Sequence, residues 1–201
     1  MWVKGKAKMN FAIAAVIGVC ALAVTIFIVR PSRGELGQDA SLISNFKKHE
    51  AQFQHLAAMA NQDLRIMLVR DSVIGLSESG TPPSYVYVYR DKSWPAEAQL
   101  LFSQERWREY LAMFGTLGLR SMKRQAGVRG AVFFTAFVKV SELDNHEAAI
   151  VEKGYAYVPG NIETDLRDSL DNIHLNRPAI FYRKLQDQWY LYYQWSVSKP
   201  E

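Results

Sequence analysis

Two hydrophobic patterns divide the chain. From Phe11 to Val29 run nineteen residues without a charge, FAIAAVIGVCALAVTIFIV. A helix of that length measures about 28 Å, close to the roughly 30 Å of bilayer hydrocarbon, and it satisfies its backbone internally. After a short polar stretch the pattern becomes periodic. Ile43, Phe46, Phe53, Leu56, Ala57 and Ala60 share one face of a helix predicted over 40–61, with Lys47, Lys48, Glu50, Gln52 and Gln54 opposite. LRIMLVR (64–70) reads as a strand and the Gly/Ser/Pro-rich stretch 75–84 as a loop. YVYVYR (85–90) alternates strictly, placing Tyr85, Tyr87 and Tyr89 on one face and Val86 and Val88 on the other.

A second helix starts at the candidate N-cap Ser103 and ends near Gly115 or Gly118. Its stripe is Trp107, Tyr110, Leu111 and Phe114. LRSMKRQ and VRGAVFFTAFVKVS form two strands around Ala126-Gly127. The second is apolar on both faces through Val132, Phe133, Phe134, Ala136, Phe137 and Val138, as a central strand would be. KGYAYVPG is a further strand, NIETDLRDSLDNI a short acidic helix, and AIFYRKL with WYLYYQWS a hairpin around Gln186-Asp187-Gln188. The order α-β-β-α-β-β-β-α-β-β has no sustained βαβ alternation. It predicts an α+β domain with a largely antiparallel sheet covered by helices, preceded by one transmembrane helix.

The expected organisation is a cytoplasmic tail (1–10), an anchor inserted in the lipid bilayer (11–29), a linker (30–39) and an exported domain (40–201). Charge supports it. Residues 1–34 carry Lys4, Lys6, Lys8, Arg30 and Arg33 and no acid, whereas the remainder holds 19 basic and 20 acidic residues. The basic pI of about 9.1 therefore belongs to the flanks of the apolar run and not to a phosphate-binding surface. The nearest basic cluster, Arg120, Lys123, Arg124 and Arg129, reads as a solvated hairpin rim, and no nucleic-acid partner is expected. Three lysines before the run against two arginines after it favour a cytoplasmic N-terminus and an exported C-terminal domain.

Cys20, the one cysteine, lies mid-run. As a lipid-attachment site it would follow a nine-residue apolar core, but Val19 stands where a small residue is usual, and nine more apolar residues follow. The ordinary cleavage site is missing as well, since Val29 and Arg30 occupy the small-x-small positions. An uncleaved anchor fits better. The exported part then has no thiol for a nucleophile, a disulfide or a metal.

Catalytic motifs are near-misses. GLSES (75–79) approaches a nucleophile elbow around Ser77, but Gly80 comes one residue late and TPPS follows where a helix is required. His49 and His55 sit six apart on the first helix and diverge. Glu142 and His146, four apart, have no spaced third ligand. Glu163, Asp165, Asp168 and Asp171 do not follow calcium-loop spacing and read as a solvated acidic face. No metal or cofactor is expected. An alternative is a hydrolase whose groups (Asp165, Asp168, His146) converge only in the fold.

Aromatic density is the remaining feature. Nine of ten tyrosines fall in predicted strands. Tyr85, Tyr87, Tyr89, Tyr155, Tyr157, Tyr190 and Tyr192 are the candidate binding residues, because one sheet face must pack on helices and the other can offer amphipathic rings. The plain reading is β-formers on both faces of a buried sheet. SQERWREYLAMFGTLGLR, KGYAYVPG, DSLDN and WYLYYQWS resemble segments of a family of small uncharacterised bacterial envelope proteins, membrane-anchored or lipoprotein-like. The resemblance covers the C-terminal half and implies an envelope location and no known activity. The function expected is a non-enzymatic domain for a protein, peptide or glycan partner, in one version an immunity or inhibitor protein.

Overall fold

The structure is a computed structural model that describes residues 37–76, 84–88, 94–95, 102–124, 130–143, 147–173 and 177–198, all within the unit Leu36–Glu201. The apolar run 11–29, Cys20, Ser77, Tyr89, Arg129 and His146 lie outside them. No helix among the described residues is long and apolar enough to cross a membrane.

Three helices and eight strands are described: α1 (Asp39–Lys48), α2 (Glu50–Gln62), β1 (Ile66–Val69), β2 (Val73–Leu76), β3 (Ser84–Tyr87), α3 (Gln104–Leu117), β4 (Ser121–Arg124), β5 (Val132–Glu142), β6 (Ala148–Tyr157), β7 (Ala179–Gln186) and β8 (Trp189–Ser198). The strands form one antiparallel sheet in the order β3-β2-β1-β4-β5-β6-β8-β7. The α+β class with helices over an antiparallel sheet is as the pattern predicts. β5, apolar on both faces, lies inside the sheet between β4 and β6. β1 and β4 meet through two residue pairs, Leu68 with Lys123 and Val69 with Met122, against ten between β6 and β8.

The predicted first helix is two helices. The chain leaves helical geometry at His49 (φ −121°, ψ 26°), whose N–H still donates to Asn45 and Phe46 oxygens. Phe46 and Phe53 would stand roughly 10.5 Å apart along a straight helix, yet their ring centroids are 5.2 Å apart. The bend seats both rings on Trp189, at 5.3 and 5.6 Å. α3 follows the sequence closely. Ser103 Oγ accepts the Arg106 N–H, and Gly118 ends the helix in the left-handed region at φ 68°, which favours glycine.

Two expectations are corrected. Val73–Leu76 is a strand, although its Gly-Ser-Pro context reads as loop. It pairs with β1 on one side and β3 on the other. The acidic stretch 161–173 contains no helix. Asp165 and Asn172 adopt φ of 59° and 60°, which a right-handed helix excludes. The stretch runs as irregular chain around the outer edge of β7 instead, joined to it at a bridge between Leu166 and Tyr182.

Register assigns the faces. One carries Val69, Ile74, Met122, Val132, Phe134, Tyr155, Trp189 and Leu191, packed with Phe46, Phe53, Leu56, Trp107, Tyr110 and Phe114 from the helices in the main core. On the other, Phe133, Ala156, Tyr182, Tyr190 and Tyr192 form a second, smaller core with Ala131 and Val158. β5 bulges between Thr135 and Phe137. There Gly154 of β6 lies so close that a Cβ would sit 2.1 Å from the Phe134 carbonyl oxygen.

Candidate binding surface

β3 is an outer strand, and its pairing places Tyr85 opposite Gly75 and Tyr87 opposite Val73. These positions face away from the helices, since Ile74 between them is buried in the main core. Tyr85 is 57% and Tyr87 62% exposed. The missing side chain of Gly75 makes room for the neighbouring ring: a Cβ there would stand 3.3 Å from Tyr85 Cε1 and 2.8 Å from Leu68 Cβ. A ring laid across a cross-strand glycine keeps its outer face in solvent. Leu68 and Val73, half-buried, complete the apolar part of this surface.

The other candidate tyrosines separate sharply from these two. Tyr155, Tyr190 and Tyr192 are each at most 1% exposed, so they are structural and are corrected as contact residues. The physical reason is that both faces of the sheet are covered across β5, β6 and β8, and each hydroxyl has an internal partner. Tyr155 OH donates to the Leu42 oxygen at 3.0 Å and accepts from Asn45 Nδ2 at 3.1 Å. Tyr190 OH accepts the Ile162 N–H at 3.2 Å and lies 3.0 Å from Lys184 Nζ. Tyr192 OH shares a hydrogen bond of 2.8 Å with Thr135 Oγ1. Burial pushes the Tyr155 phenol up to about 12 and Tyr192 well above 10, so both remain neutral donors. Tyr157 is half-buried, with its hydroxyl 2.5 Å from Gln188 Oε1 and its ring 5.4 Å from Trp189.

Of the residues proposed for hydrolytic chemistry, His146 lies outside the described residues. Asp165 and Asp168 are exposed on the strap around β7, and the Asp165 carbonyl accepts the Tyr182 N–H at 3.0 Å. His55 Nε2 lies 3.3 Å from Glu109 Oε1 in the open. Among the described residues no three metal-ligating side chains gather. Of the basic quartet, Arg129 lies outside the described residues, and Lys123 and Arg124 diverge. Lys123 crosses to Glu152 on the sheet face opposite the helices and reaches Gln194 Oε1 at 3.2 Å. Arg124, next in the strand, points to the helix face and donates to the Ala60 carbonyl.

One cluster has no local signature at all. Asp39, 1% exposed at the start of α1, lies 2.8 Å from Lys153 Nζ and 2.8 Å from Arg183 NH1. It also accepts the Leu170 N–H at 2.8 Å. Burial alone would raise its pKa, but the Leu170 N–H and the two cations outweigh burial and hold the carboxyl below its ordinary 3.8. Compared with protein-family models, curated proteins and solved structures, the chain has no match in any of the three.

Proposed function

We propose that this chain is a single-pass protein of the bacterial inner membrane, anchored through residues 11–29. Its exported α+β domain captures a protein or peptide partner without catalysing a reaction. The observation that carries the binding reading is the pair Tyr85 and Tyr87. They are exposed on one face of an outer strand, while every other described tyrosine is buried or half-buried. Tyrosine supplies contact area with few rotamers to freeze and a hydroxyl for orientation, the chemistry enriched at interface cores. An immunity or inhibitor role is the specific version, in which the tethered domain blocks an exported enzyme or toxin. Membership of the envelope family that the C-terminal half resembles belongs to the same proposal. The hydrolase reading gains nothing from the described residues, where Asp165 and Asp168 stand apart in solvent.

The test places a photo-crosslinking amino acid at Tyr87 in the full-length chain in its own membrane, with Arg108, exposed on α3, as the control position. A discrete adduct from position 87 that position 108 does not give is the expected result. Equal adducts from both, or a glycan in place of a polypeptide, would overturn it. A periplasm-dependent reporter fused after Glu201 should be active. An inactive but well-expressed fusion reverses the orientation.

A further inference from the structure

Residues 158–173 form a strap that passes around the outer edge of β7. On the face away from the helices, Ile162 packs against the smaller core and its N–H donates to Tyr190 OH at 3.2 Å. At the edge, Arg167 N–H donates to the Tyr182 oxygen at 2.8 Å and Tyr182 N–H returns to the Asp165 oxygen at 3.0 Å. This makes a parallel bridge between Leu166 and Tyr182. The Arg167 guanidinium covers the Phe181 ring at 4.5 Å. The strap then reaches the helix face, where Leu170 enters the main core.

Its end is tied to Asp39. That carboxylate accepts the Leu170 N–H at 2.8 Å and the Ser169 hydroxyl at 3.3 Å, while the Asp39 N–H donates to Asp171 Oδ1 at 3.0 Å. Lys153 Nζ of β6 bridges Asp39 and Asp171 at 2.8 and 2.7 Å, and Arg183 of β7 closes the set at 2.8 Å. Between the edge bridge and this clasp the strap is exposed, Asp168 and Ser169 included. The middle is held by two backbone bonds and a cation over a ring. The end is held by the Asp39 carboxylate, by Lys153 on Asp171, by Leu170 and Ile173 against the main core and by the Tyr193 hydroxyl, which donates to the Ile173 carbonyl at 3.2 Å. Of these the buried carboxylate gathers the most polar partners.

We propose that Asp39 is the latch of this strap. The first turn of α1, through its carboxylate, keeps residues 161–173 on β7, and withdrawal of that turn frees the strap as a local unit and uncovers the β7 edge. An outer strand with its Tyr182 N–H and C=O released is a template for an incoming strand. The latch therefore decides whether that edge is closed. It depends on no assumption about the partner or the membrane segment.

Limited tryptic cleavage of the full-length chain in detergent micelles reads the strap directly, because Arg167 lies within it. Asp39→Asn keeps the shape and removes the charge to which Lys153, Arg183 and the Leu170 N–H bind. Cleavage after Arg167 should accelerate about tenfold or more relative to wild type, with cleavage after Lys123 in β4 unchanged. Unchanged cleavage at Arg167 would overturn the latch. So would equal acceleration at both sites, which marks general destabilisation. Should Asp39→Asn fail to accumulate, Asp171→Asn removes the charge that Lys153 meets there while leaving Asp39 in place. It must accelerate the Arg167 cut selectively by a smaller factor, and no selective effect refutes the proposal.

Discussion

The hydroxyls of Thr135 and Tyr192, both fully buried, offer a quantitative test of how the sheet interior is held. They lie 2.8 Å apart in a part of the sheet closed on both faces. Tyr192→Phe keeps the ring, including its edge-to-face contact with Phe133 at 5.1 Å, and strips one partner from a buried oxygen. An orphaned buried hydroxyl costs about 1–3 kcal/mol. Thr135→Val, similar in shape, orphans the phenol and should cost the same order. The double variant removes both polar groups, so its loss should fall short of the sum by about 1–2 kcal/mol. Equilibrium urea unfolding of the chain in mild detergent, followed by tryptophan fluorescence, measures all four proteins at one m-value. Burial raises the Tyr192 pKa well above 10, so the coupling should be constant from about pH 6 to 9. A coupling below about 0.3 kcal/mol, the level at which independent sites add, would show that the two oxygens do not sustain each other.

Gly154→Ala forces a Cβ to within 2.1 Å of the Phe134 oxygen and 2.9 Å of the Ala136 nitrogen. Neither backbone atom can retreat without breaking the β5–β6 ladder, so a loss of about 3 kcal/mol or more is expected in the same urea assay. Because the folded pKa of Asp39 is depressed, its contribution to stability is full above the ordinary 3.8 and is lost as pH falls through the folded value. Acid unfolding curves of wild type should therefore fall more steeply below that point than those of Asp39→Asn. Ser103→Ala removes the acceptor for the Arg106 N–H at 3.1 Å and should cost about 1 kcal/mol, read as a Tm shift of roughly 2–4 °C.

How far the sequence reached follows from how local each signal is. α3 is legible almost to the residue, because cap, apolar stripe and terminal glycine all lie within sixteen positions. β5 declares its interior place by being apolar on both faces. β2 hides because Gly75 resembles a loop signal, and its purpose appears only when Tyr85 is laid over it from the neighbouring strand. Tyrosine spacing marks which rings share a face but carries no record of what covers that face. Thus Tyr155, Tyr190 and Tyr192 resemble Tyr85 and Tyr87 in the pattern and differ from them in the fold. The Asp39 cluster was beyond reach for a simpler reason: its partner Arg183 is 144 residues away.

The two-pair contact between β1 and β4 bears on how the molecule assembles and comes apart. Strands β5, β6, β8 and β7 are long neighbours joined by successive registers, whereas β1–β2–β3 are four-residue strands whose ladder to the rest of the sheet is the two pairs that Leu68 and Val69 make with β4, beside the packing of Ile66, Val69, Ile74 and Leu76 in the main core. Cooperative units tend to follow such divisions, and the unit with fewer cross-links opens at lower free energy. Hydrogen exchange in β1–β3 should then precede exchange in β6 and β8, and a single exchange rate for both groups would contradict it. Tyr85 and Tyr87, the described tyrosines that face solvent, sit on β3 within this three-strand group, so a partner bound there would stabilise the group expected to open first.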